Sequence, residues 1–275
     1  MTYRFSSHWH YVFFVLLSFV SLSGTCHAAS KSPAWELGVA LGGQALRDYR
    51  GSSESQVQVY PIPFLVYRGD FFKIDRNGVR GEFLSNDRVQ FNLSGETALN
   101  GSSDDNELRQ GMPELESAFE LGPSVNINLS GDDFSRGWQL RLPLRAVITA
   151  GESGIHSRGY NFNPRFTYTK PDFFGDWRGR VNIGGLFGSK RYHDYYYSVD
   201  EQYVTPFRAS YEASGGFSGY YFKTSLSRRK DDFWYAASFR YDNLSGASFE
   251  DSPVVETKDY FSISFIVAWL GWQSK

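Results

Sequence analysis

Two histidines lie beyond the first 29 residues of this 275-residue chain, His156 and His193, each beside a group that could orient it, Ser157 and Asp194. A histidine poised by a hydroxyl or a carboxylate is the base of a hydrolase. Side chains adjacent in sequence need not meet, however, so both dipeptides are read as loop residues and no catalytic residue is expected. Two isolated histidines also argue against a transition-metal site. Asp104-Asp105 and Asp231-Asp232 could hold calcium, but as turn carboxylates they are expected to be solvated. No cofactor or metal is expected. Arg228-Arg229-Lys230 could touch lipid phosphates, and the plainer reading is a charged rim beside a short turn.

The elements that would position these groups begin after a leader. Arg4, the apolar run over residues 11–20 and the small residues before Ala28-Ala29 have the order of a secretory signal peptide. The run is shorter than the roughly 20 residues of a membrane helix. Residues 1–29 are therefore read as a cleaved signal and 30–275 as one domain. The single cysteine, Cys26, leaves with the signal, and with it go disulfide and thiol chemistry. Removal of Arg4 leaves 27 bases against 30 acids, a net charge of −3, so no nucleic acid is implied as partner. The chain is 18% aromatic with a mean hydropathy of −0.40, as expected when apolar residues occupy alternate strand positions and the average stays near neutral.

Period-two alternation runs through most of the chain. It is clearest in the last stretch, where Phe261, Ile263, Phe265, Val267 and Trp269 alternate with small or polar residues. The first strand sets Trp35, Leu37, Val39 and Leu41 against Glu36, Gly38, Ala40 and Gly42. The second contains Tyr60-Pro61-Ile62-Pro63, where two prolines predict an irregular strand or a bulge. Asn77-Gly78 is a hairpin signal that splits Phe71-Arg76 from Val79-Leu84. The segment from Phe217 to Arg228 has aromatics on both parities, and the break over residues 190–216 is the longest. With short turns on one rim and long loops on the other, the count is about twelve antiparallel strands, ten if segments merge, with both termini periplasmic. A soluble sandwich also shows many alternating strands. The signal, the aromatic ends of the apolar faces and strands of about 10–13 residues favour an all-β transmembrane barrel over it.

The face turned inward should carry Glu36, Glu82, Glu96 and Glu120 from the first half of the strands. Arg141, Arg145, Arg165, Arg178, Arg180 and Arg240 come from the second half. Acid on one wall and base on the other would give either a transverse field across a small pore or a lumen closed by ion pairs. The narrow bore of twelve strands favours the closed lumen.

Several motifs, in order, are similar to one family. They are Trp35-Glu36-Leu37-Gly38-Val39; Tyr60-Pro61-Ile62-Pro63 leading to Tyr67-Arg68-Gly69-Asp70; Tyr195-Tyr196-Tyr197-Ser198-Val199; Tyr211-Glu212-Ala213; and Asp251-Ser252-Pro253-Val254. The chain resembles the MipA/OmpV family of outer-membrane proteins, with Ser198 where that family usually has glycine and an end that runs past Trp272 to Lys275. The resemblance implies a barrel in the Gram-negative outer membrane, in contact with its lipid. It also implies a scaffold that brings a lytic transglycosylase of the MltA type together with a bifunctional penicillin-binding protein. Other relatives imply a small osmotic-stress porin or an adhesin using the long outer loops.

Overall fold

The computed structural model describes residues 33–69, 72–75, 78–98, 106–151 and 154–274, with backbone alone for 72–75, 78–85 and Ala98. The leader, Cys26, Asp104-Asp105 and the side chain of Glu82 lie outside the described residues. The strands are β1 (Trp35–Arg47), β2 (Ser55–Arg68), β3 (Phe72–Asp75), β4 (Gly78–Ser85), β5 (Val89–Ala98), β6 (Ala118–Asn128) and β7 (Gly137–Gly151). They continue with β8 (Gly154–Phe162), β9 (Arg165–Phe174), β10 (Trp177–Gly188), β11 (Gly216–Lys230), β12 (Phe233–Asn243) and β13 (Asp259–Gln273). Among the described residues one α-helix, α1 (Lys190–Tyr197), interrupts this all-β order inside the stretch expected to be a plain loop, besides two single 3-10 turns at Glu107–Arg109 and Glu201–Tyr203.

Among the described residues every pairing is antiparallel, and the thirteen strands form one sheet. β8 and β9 are two halves of one strand. β7 pairs Arg145 with Asn161 on β8 and Arg141 with Arg165 on β9 in one continuous register, across the break at Asn163-Pro164. Counting them once leaves twelve staves, in line with the sequence count. Followed from neighbour to neighbour, the pairings run from β1 through β7 to the joint β8–β9 strand, then β10 to β13, and return to β1. The connections at residues 86–88, 129–136, 175–176 and 231–232 fall on the rim that carries both termini. The long segments 48–54, 106–117, 189–215 and 244–258 fall on the far rim.

The sheet is apolar outside and polar inside. Phe261, Ile263, Phe265, Val267 and Trp269 of β13 are all exposed, as are Leu37, Val39 and Leu41 of β1, Phe119 and Leu121 of β6 and Tyr220 and Phe222 of β11. The alternate positions bury Gln90 and Asn92 of β5, Ser124, Asn126 and Asn128 of β6, Gln139 and Arg145 of β7 and Thr167 and Thr169 of β9. This inverts the order of a water-soluble barrel and matches one whose outer face meets hydrocarbon. β11 accommodates its aromatics of both parities through Gly219, whose positive φ of 101° shifts the alternation, so Tyr221 points in while Tyr220 and Phe222 point out.

The prolines of β2 produce no bulge, contrary to the expectation. β2 pairs with β1 without a register shift from Ser55 to Tyr67. Arg68 N–H donates to the Ala34 carbonyl at 2.8 Å, so even-numbered residues of β2 bond to β1 and odd-numbered ones point away. Pro61 and Pro63 therefore lack only the N–H groups that would face β3, and β3 pairs with β2 at just Tyr67 and Arg68. Among the described residues the prolines sit on a free strand edge, where a missing donor costs nothing.

Candidate functional site: a polar interior under a loop cap

The four long segments of the far rim pack on one another. Their shared apolar core holds Tyr49, Met112, Leu115, Tyr196, Tyr197, Val199, Leu244, Phe249 and Val254. Tyr197 stacks on Phe249 at a ring separation of 3.6 Å and 7°. Segments 106–117 and 189–215 leave the ring about a third of the circumference apart, and they meet. Arg109 donates to the Tyr196 carbonyl at 2.9 Å, and Arg208 bonds the carbonyls of Leu108 and Gln110. Segments 48–54 and 244–258 join through Tyr49 Oη, 2.7 Å from the Val254 carbonyl. These contacts carry the loops across the mouth of the barrel as a cap.

The family-motif residues divide between cap and wall. Tyr196 and Tyr197 are in the cap core; Ser252 Oγ donates to the Tyr197 carbonyl at 2.6 Å, and Pro253 follows it in the same turn. Tyr211 pairs with Val199 in a short antiparallel bridge. Tyr60 faces inward on β2, with Pro61 and Pro63 on its outer face. Burial pushes the phenols of Tyr195 and Tyr197 up to about 12, so both stay neutral hydrogen-bonding groups.

His193 lies on α1 rather than in a loop, and it is fully buried. Its Nδ1 is 2.6 Å from the Ser214 carbonyl, which makes Nδ1 the protonated nitrogen. Nε2 is then free to accept from Ser218 Oγ at 2.6 Å. That is the hydrogen bond of a nucleophile and its base, and sequence reading missed Ser218 because it is distant in sequence. Ser218 is also buried, and Phe249 and Tyr197 pack on the imidazole, so the pair ties α1 to β11 with no opening for a substrate among the described groups. Asp194 instead holds Lys190 at 2.9 Å on the surface. His156 is on β8, also not in a loop.

Below the cap, the expected interior charges meet in local sets. Arg145 of β7 reaches Glu96 at 2.7 Å and Glu120 at 3.3 Å, and Asn161 donates to Glu120 at 2.7 Å. Glu36 lies buried near the terminal rim between Arg68 and Arg229. Arg240 grips Asp242 with two bonds of 2.6 and 2.7 Å, and Arg50 of the cap reaches the same carboxylate at 2.9 Å. Arg141 donates to Gln139, Arg165 to Asn163, Arg180 to Thr169, and Arg178 to the Ser135 carbonyl of a terminal-rim turn. Glu96 and Glu120 thus sit beside Arg145 rather than across the lumen from it. Asp242 was legible from its inward parity; nothing in a polar loop marked Arg50 as its partner.

A family model described as "MltA-interacting protein MipA" matches residues 39–270. The chain belongs to the MipA family. No curated protein matches this MipA-family chain. Among solved structures it is similar to OccK2 (OpdF) of Pseudomonas aeruginosa, at 10% identity and a TM-score of 0.20, over 86% of this chain and 98% of that one. The same protein in complex with glucuronate is 9% identical, with a TM-score of 0.20, over 86% and 95%. At that level the likeness carries no weight beside the strand pairing itself.

Proposed function

We propose that this MipA-family barrel sits in the Gram-negative outer membrane after export by its signal peptide, is not an enzyme, and acts as a scaffold for murein-synthesising and murein-hydrolysing enzymes. The partners are a lytic transglycosylase of the MltA type and a bifunctional penicillin-binding protein. The family's description supports the first partner, and the resemblance supports the second. The observation that carries the reading is the cap: far-rim loops with their own apolar core fit a closed barrel better than an open channel or a mobile adhesive surface. The docking face is then the terminal rim, with its turns at residues 86–88, 129–136, 175–176 and 231–232.

A pull-down of both purified enzymes by the barrel tests this. Binding is expected to survive removal of residues 199–211 and to fail when Asp132, Asp133, Asp231 and Asp232 are replaced by serine. Binding that depends on the cap alone would overturn the scaffold. One observation favours a second reading, a small osmotic-stress channel: Glu96 faces the interior yet its side chain is 47% exposed, so open space remains in the lumen beside it. A channel requires steady conductance in a planar bilayer, with selectivity changed by Arg145→Glu; the scaffold reading expects silence.

A further inference from the structure

The basic run Arg228-Arg229-Lys230 ends β11 at the terminal rim, and the strand divides it between two faces. Arg229 turns inward to Glu36, so Arg228 and Lys230, one position to either side, leave from the outer face. The ladder sets Tyr235 of β12 opposite Arg228 and Ser227 opposite Arg178 of β10, which brings Trp177 to the other flank of Arg228. The guanidinium lies 5.9 Å from the centre of the Trp177 ring. Trp177, Arg228, Lys230 and Tyr235 together line one cleft of about 270 Å³. Asp176 holds the Nε edge of Arg228 at 2.7 Å, and neither it nor the turn acids Asp231 and Asp232 belong to the lining. Among the described residues the Nη groups of Arg228, the Lys230 ammonium, the Trp177 indole N–H and the Tyr235 hydroxyl donate to no protein acceptor.

We propose that this cleft binds the phosphate of a phospholipid in the leaflet at the terminal rim. Each lining side chain brings a hydrogen-bond donor, and a phosphodiester offers acceptor oxygens that guanidinium and ammonium bind most strongly. The occupant is a lipid rather than a free ion because of what lies beside the cleft. Phe222 and Leu226 of β11 are exposed along the same outer face, and Phe233, opposite Lys230, is exposed next to them. Acyl chains joined to the bound phosphate would lie on this apolar strip. Aromatic rings and basic groups together, one residue from the turns, mark the depth at which headgroups sit. The site rests on the membrane placement proposed above and goes beyond it, by fixing one lipid at one wall.

The test is native mass spectrometry of the full-length barrel released from non-ionic micelles that carry dilauroyl phosphatidylglycerol or dilauroylglycerol, which has the same chains and no phosphate. Folding of the barrel and of every variant in the micelle is checked first by heat-dependent gel mobility. A barrel that does not fold there would overturn the membrane placement and the site with it. The folded barrel is expected to retain one phosphatidylglycerol at least about tenfold more tightly than the diacylglycerol. Retention should fall about tenfold in Lys230→Gln and further in Arg228→Gln with Lys230→Gln, and stay unchanged in Lys258→Gln on the cap. Equal retention of the two lipids, or undiminished retention by the double variant, would overturn the proposal while the membrane placement stands. Displacement of the lipid by inorganic phosphate would overturn it too, in favour of a free-anion site.

Discussion

His193 has one ring nitrogen on a carbonyl and the other on a hydroxyl, in a site closed by Phe249 and Tyr197. Burial holds its pKa below the ordinary value of 6.5, while the hydrogen bond to the Ser214 carbonyl pulls the other way. The sign follows from linkage. As pH falls through about 6.5, the imidazole of an unfolded cap takes up a proton that the buried one refuses, so cap stability declines until the depressed folded value is reached and is level below it. Limited proteolysis of the far-rim loops should therefore speed up between about pH 7.5 and about pH 5.5, and the His193→Gln variant should lose most of that increase. A pH response unchanged in the variant would place the titration elsewhere. At this scale the sequence was only partly legible. The inward parity of Glu96, Arg145 and Arg240 could be read from alternation, because one face of each strand is polar. The partners of His193 could not, since Ser214 and Ser218 reach it only through the path of a folded loop.

Among the elements, β2 shows how a local rule can be right and its application wrong. Proline removes a ladder donor, and that predicts an irregular strand only if the donor would have been used. Here the register places both prolines on the side away from β1, so the strand is regular and its free edge is blunted. Exposed edges are templates for pairing with another chain, and proline is one of the devices that prevent it. Replacing Pro61 and Pro63 together by valine should restore two edge donors and promote β2-to-β2 dimers, visible by cross-linking in micelles. Ile62→Pro should remove a bond to β1 and destabilise the barrel by about 1–3 kcal/mol, measured by urea unfolding. No dimer in the first variant and no loss in the second would contradict the assigned register. The strands were legible because period two survives in each of them. Helix α1 was not, since its tyrosines serve a core assembled from four separate loops and leave no helical stripe on their own.

For the molecule as a whole, two cooperative bodies are expected: a wall held by cross-strand ladders and a cap held by an apolar core of loops. Heating should melt them in that unequal order. The near-ultraviolet signal of the stacked cap aromatics is expected to disappear at a lower temperature than the far-ultraviolet signal of the strands, and Phe249→Ala should widen the gap by costing the cap about 3 kcal/mol. A single coincident transition would show that wall and cap are one unit. The alternation of short and long connections made the wall legible, whereas no sequence signal records that the loops find one another across its mouth. The seam between β1 and β13 adds a consequence for the order of assembly. Trp35 bonds Ser274 across 239 residues, so this contact closes nearly the whole chain into a loop. Chain entropy sets a cost that grows as about (3/2)RT ln n for such a closure, and the ladder cannot begin before the last residues have been delivered. Tyr49 and Val254 bridge the same seam from above, across 205 residues. Closure of the wall is therefore a late event and the cap is seated after it, so a chain cut short before β13 would be left as an uncapped, open ribbon.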